Sequence, residues 1–123
     1  MQQQIIPMLS YENGVAAMDW LCDVFGFSVK TKWLDDSGKR THGEITMGEN
    51  IIMLATPTRD YRSPATLRKI CTSAAKMYMV PYIINGVLVY VNDIQPHFDT
   101  AKTKGATILS AIETGGPGTR YRA

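Results

Sequence analysis

"THGEITMGENIIMLATP", residues 41–57, decides how the rest of this chain is read. Apolar and β-branched residues recur on both sides of "GEN". The pattern predicts two antiparallel strands, "THGEITM" and "NIIMLAT", joined tightly. With Glu49 and Asn50 as the two-residue loop, Gly48 pairs with Ile51, Met47 with Ile52, Thr46 with Met53 and Glu44 with Ala55. Paired residues share a face. Ile45, Met47, Ile52 and Leu54 then cover the side that a helix packs on, and His42, Glu44, Thr46, Ile51 and Met53 line the opposite side. His42 and Glu44 lie two residues apart, so their side chains point the same way. That polar pair is the first candidate for chemistry.

The flanks fill in around the hairpin. "IIPMLSY" (5–11) reads as a short strand. In the next segment Ala17, Met18, Leu21, Cys22 and Phe25 recur at helical spacing, with Asn13 to cap the start and Gly26 to end it. "SVKTKWL" (28–34) alternates as a half-buried strand, and "DDSGK" turns the chain. A helix of 63–79 follows, with Ser63 as N-cap and Pro64 at its first position. Leu67, Ile70, Cys71 and Ala74 form its apolar stripe; Arg68, Lys69 and Lys76 take the other side. "GVLVYVND" (86–93) reads as a strand with Val87 and Val89 on one face and Tyr90 packed under a helix. "IQPHFDTAKTKGA" reads as a helix capped by Asp93 and stopped by Gly105, with His97 toward solvent. "TILSAIET" is another strand, and "GGPGTRYRA" a glycine-rich turn with Arg120, Tyr121 and Arg122 in a solvated end. Trp20, on the first helix, reads as core.

Composition bounds the rest. The chain has 123 residues, 45% hydrophobic and 20% charged, with 13 Lys and Arg against 11 Asp and Glu. That is ordinary for one globular domain and far from the basic load of a dedicated nucleic-acid binder, so no nucleic-acid partner is expected. Cys22 and Cys71 are too few for a disulfide framework and read as small hydrophobes. "MQQQIIPML" has neither a basic n-region nor an apolar h-region, and no apolar run is long enough for a membrane span. The expected location is the cytoplasm, with no membrane partner. Gly-x-Ser-x-Gly, Cys-x-x-Cys and phosphate-cradling glycine loops are lacking.

The element order is one βαβββ unit, a helical connector and most of a second unit. In that order "IIPMLSYENGVAAMDWLCDVFGF", "HGEITMGENIIML", "GVLVYVNDIQPHFDTAKTKGA" and "RYRA" resemble the vicinal oxygen chelate superfamily (glyoxalase/bleomycin-resistance/dioxygenase proteins), most of all its PhnB-like branch. The resemblance implies an α+β fold of paired βαβββ modules curling around a cup: a first module over 1–57, a connector over 58–84, and a second module over 85–123 truncated before its last strand. It also implies a homodimer, with an exchanged or paired edge strand.

Metal-dependent members use His, Gln or Glu at four strand positions. Carried over by position, three of these fall on Ile6, Met53 and Val87, and the fourth on the strand that would follow "RYRA". Apolar side chains do not hold a hard cation, so no metal and no cofactor are expected. Ile6, Met8, Ile51, Met53, Val87 and Val89 are expected to line the cup, with Trp33, His42, Glu44 and Thr46 at its margin. The function that follows is metal-independent binding of a small organic molecule. The alternative is an enzyme, namely a lyase, isomerase or dioxygenase with a non-standard metal site, or one in which Glu44 is a general base tuned by His42.

Overall fold

The computed structural model describes residues 3–37, 40–77, 85–116 and 118–123. The elements run β1 (Met8–Ser10), α1 (Gly14–Phe25), β2 (Ser28–Leu34), β3 (Arg40–Met47), β4 (Asn50–Ala55), α2 (Pro64–Ile70), α3 (Thr72–Met77), α4 (Ile94–Thr103), β5 (Ser110–Gly115) and β6 (Gly118–Arg122). The first five form a βαβββ unit whose sheet has the order β1-β4-β3-β2. Its β1 and β4 are parallel, and its two other pairs are antiparallel.

Local chemistry sets the ends of α1. The Asn13 side chain accepts a hydrogen bond from the Ala16 N–H, and Gly26 closes the helix in the left-handed conformation at φ 79°, where a side chain would be strained. The Thr56 hydroxyl accepts from the Gly14 N–H, which ties the helix start to the end of β4. From there α1 lies across one face of the sheet. Met18, Ile45, Ile52 and Leu54 are buried together, with Leu9, Tyr11, Leu21, Cys22 and Phe27 packed around them. Complete burial of each of Met18, Ile45 and Leu54 stabilises the unit by about 1.5–3 kcal/mol. A second cluster of Val24, Ala101 and Ala106, flanked by Phe25, Ile108 and Tyr121, joins the last turn of α1 to α4 and β6. Trp20 is less buried than its helical position predicts; it is an exposed residue whose ring meets Phe25 edge-on at 5.1 Å.

The β3–β4 register differs from the expected one. Met47 pairs with Asn50, Thr46 with Ile51, Ile45 with Ile52 and Glu44 with Met53. The loop is therefore Gly48–Glu49. Gly48 has φ 59° and, among the described residues, no non-glycine residue has a positive φ, so glycine takes the first loop position, as a II′-type hairpin requires. Each partner moves by two residues, which preserves the side-chain face. The expected division into a helix side and an open side therefore holds although the pairing does not.

Three further departures have physical causes. The connector helix is broken: Cys71 is extended (φ −137°, ψ 120°), closing α2 through its N–H to Leu67 and opening α3 through its carbonyl to Ala75. Ile70, Cys71, Thr72 and Ser73 are all weak helix formers in succession. The apolar stripe is split as a result, with Ala74 buried but Ile70 and Cys71 exposed. The residues of the expected strand 86–93 carry no strand, and Tyr90 is 83% exposed rather than packed under a helix. In the first unit β1 is held by β4, and no described strand plays that part for 86–91. In the glycine-rich end, Gly118–Arg122 forms β6, paired antiparallel to β5.

Candidate functional site

Among the described residues, no helix packs on the face of the four-stranded sheet opposite α1, and that face is the open one. One cross-strand row spans it, with Met8 opposite Met53, Met53 opposite Glu44, and Glu44 opposite Thr31. Trp33 lies opposite His42, and Thr46 opposite Ile51, in the rows on either side. Met8 is 70% and Trp33 54% exposed; His42, Glu44, Thr46, Ile51 and Met53 are half-buried.

A β-bulge aims this side of the site. Val29 pairs with the buried Ile45, whereas Thr31, two residues on, pairs with Glu44 on the open side. In an unbroken strand Val29, Thr31 and Trp33 would share one face. The extra residue, Lys30, switches the parity, as bulges near sheet edges do. Without it Trp33 would point to the α1 side.

The polar group is compact. The Thr31 hydroxyl donates to Glu44 Oε2 at 3.1 Å, and Lys30 Nζ lies 3.8 Å from the same oxygen. His42 Nε2 stands 3.7 Å from Glu44 Oε1, too long for a hydrogen bond. Among the described residues Oε1 accepts no hydrogen bond, so one lobe of the carboxylate remains available to a donor. The His42 ring is tilted against Trp33 with centroids 4.6 Å apart, which gives an aromatic ledge beside the carboxylate. Thr31 and Lys30 were not among the expected site residues. Thr31 is two positions before Trp33, and that spacing places it on the same face once Trp33 is assigned there.

The remaining sequence expectations fall elsewhere. Ile6 precedes β1, is half-buried, and is followed by Pro7, whose carbonyl accepts from the Met53 N–H. Val87 and Val89 lie outside any described strand, Val87 exposed and Val89 half-buried, so they do not continue the row of Met8 and Met53. His97 is half-buried rather than solvent-facing. The Phe25 carbonyl accepts from its Nε2 at 3.2 Å, which leaves Nδ1 of the neutral ring to accept from the Tyr121 hydroxyl at 2.7 Å. Tyr121 is therefore part of a packed cluster, and its burial pushes the phenol pKa up. Arg120 Nε lies 3.7 Å from Glu113 on the neighbouring strand. Asp93 occupies the N-cap of α4 without a side-chain capping bond.

These residues do not suit a resident divalent cation. Ile6 and Val87 carry no donor atom and Met53 offers only a soft thioether. His42 and Glu44 supply two donors, and among the described residues no three His, Cys, Asp or Glu side chains come together.

Comparison with known proteins agrees with the architecture. The family model of the glyoxalase/bleomycin resistance protein/dioxygenase superfamily matches residues 8–123. The chain belongs to that superfamily. Its fold is similar to the crystal structure of TioX from Micromonospora sp. ML1, at 22% identity and a TM-score of 0.63, over 97% of this chain and 84% of that one. It is also similar to the crystal structure of UcmS2, at 16% identity and a TM-score of 0.67, over 98% and 89% of the two chains. No curated protein matches the sequence.

Proposed function

We propose that this member of the superfamily, which we read from its motifs as PhnB-like, binds a small planar organic molecule on its open sheet face without a metal. One observation carries the reading: the exposed Trp33 ring stands beside His42, which neighbours a half-buried Glu44 carboxylate with a vacant lobe, and Met53 and Met8 follow Glu44 in the same cross-strand row. A flat ligand would stack on Trp33 and give a hydrogen-bond donor to Glu44 Oε1, and flexible methionines would adapt to its outline. The apolar residues at the expected ligand positions support the metal-independent reading.

The test is tryptophan fluorescence titrated with planar N–H-bearing heteroaromatics. Quenching is expected in the native protein and lost in Trp33→Phe, which retains Trp20. Glu44→Gln is expected to weaken binding about two- to tenfold, as loss of a charge-assisted hydrogen bond does. A stoichiometric metal in the purified protein, measured by elemental mass spectrometry, would overturn the metal-independent reading. A turnover activity lost in Glu44→Gln would favour the alternative in which Glu44 moves a proton.

We also propose a homodimer working in the cytoplasm. Among the described residues 86–91 have no strand partner, and this together with exposed Leu88 and Tyr90 favours pairing with a second copy; light scattering at the monomer mass would refute it. Cys22 and Cys71, both in the thiol form, fit a reducing compartment. Among the described residues no helix is long and apolar enough to cross a membrane.

A further inference from the structure

The connector carries a charge imbalance that the sheet face does not use. Residues 58–77 contain Arg59, Arg62, Arg68, Lys69 and Lys76 against Asp60 alone. The whole chain has 13 Lys and Arg against 11 Asp and Glu, so outside this segment acidic residues outnumber basic ones. The break at Cys71 bends α3 away from the line of α2. A shallow depression forms between the two helices, lined by Ala65, Arg68, Lys69, Thr72, Ala75 and Lys76. No carboxylate lines it. Among the described residues Arg68, Lys69 and Lys76 enter no salt bridge. Ala65 and Ala75 leave room for a compact group to approach, and Thr72 adds a hydroxyl.

We propose that this depression binds a small, soluble phosphate-bearing ligand. Arg68 offers a fork that matches two phosphate oxygens, while Lys69 and Lys76 supply point charges. A long polyanion fits less well, because the surface beyond the connector is acidic on balance and would repel it. An anionic membrane also fits less well. Ile70, the exposed apolar residue of α2, is about 100° around the helix from Lys69, so it does not share one plane with the cations. The bend at Cys71 is what turns three cations on consecutive helices toward a single concavity.

Inorganic pyrophosphate, titrated by calorimetry at low ionic strength, tests the site. Saturable binding is expected, weakening as salt is added. Arg68→Gln, Lys69→Gln and Lys76→Gln should each lower affinity about two- to fivefold, and the triple variant should abolish binding. Ala65→Asp, which places a carboxylate in the depression, should abolish it too and carries the test if the triple variant loses helicity by circular dichroism. Lys102→Gln, on α4, should have no effect. Pyrophosphate binding unchanged in the triple variant and in Ala65→Asp would overturn the site. So would equal weakening by Lys102→Gln, which signals diffuse charge, or binding to phosphatidylglycerol vesicles with none to pyrophosphate.

Discussion

The two ends of the molecule contain similar strand sequences with different fates. "IIPML" (5–9) and "GVLVYV" (86–91) are both apolar and β-branched, and each precedes a helix. The first becomes β1 over Met8–Ser10, locked in parallel register to Met53–Ala55, with Leu9 packed against the core under α1. The second forms no strand, and Leu88 and Tyr90 stand 75% and 83% exposed. Strand propensity is a fit to a neighbouring strand and a covered face rather than a property of the backbone alone. Where β4 supplies both backbone partners and a packed surface, the sequence is ordered; where no described strand does, the same kind of sequence stays unpaired.

Substitution measures that contrast most directly. Leu54→Ala empties a fully buried position opposite Gly43 and should destabilise the protein by about 2–5 kcal/mol in denaturant unfolding. Leu88→Ala at the exposed counterpart should change the stability of the dilute monomer by less than about 0.5 kcal/mol. A comparable loss at both sites would show that 86–91 is packed in solution, as pairing with a second copy requires. Hydrogen exchange sharpens the same point: amides of β4 should be strongly protected at any concentration, whereas those of 86–91 should exchange close to the rate of an open chain in dilute monomer and gain protection as the proposed dimer forms.

Tyr121→Phe probes how α4 and the two-stranded β5–β6 sheet are held against α1. It removes the hydroxyl that His97 Nδ1 accepts from, and should cost about 1 kcal/mol. Burial raises the Tyr121 pKa from its usual 10.0, so the folded state favours the neutral phenol. Stability from this group is complete below about pH 10 and is lost as pH rises through the folded value, so Tyr121→Phe should flatten the alkaline limb of the unfolding profile. The smallest effect is expected at Glu12, whose exposed carboxylate accepts from the Ser63 and Thr66 hydroxyls at 2.9 and 2.7 Å. Those hydrogen bonds, the Thr66 one foremost, lower its pKa from 4.5. Its contribution is present above that value and lost as pH falls through the folded one. Exchange protection of α2 should therefore drop in acid in the native protein and be insensitive to acid in Glu12→Gln.

The open face was readable in part. The two-residue period placed His42, Glu44, Thr46, Ile51 and Met53 on one side even though the assumed loop was wrong, because the register error was an even number of residues. Trp33 joins them only through the bulge at Lys30, which alternation does not announce. His97 shows the opposite limit. Its helical position looked solvated, but α4 packs against the end of α1 and β6, where Phe25 and Tyr121 occupy both ring nitrogens.

The sequence by itself determined what near neighbours along the chain control. Asn13 and Gly26 bound α1, Ser63 and Pro64 start α2, and glycine at position 48 dictates where the hairpin turns. Only the tertiary structure decided which strand finds a partner, where a bulge re-aims a side chain, and which helix face is covered. Caps and turns arise from hydrogen bonds and dihedral preferences spanning a few residues. Pairing and burial depend on segments tens of residues apart, whose mutual fit is not written in either one.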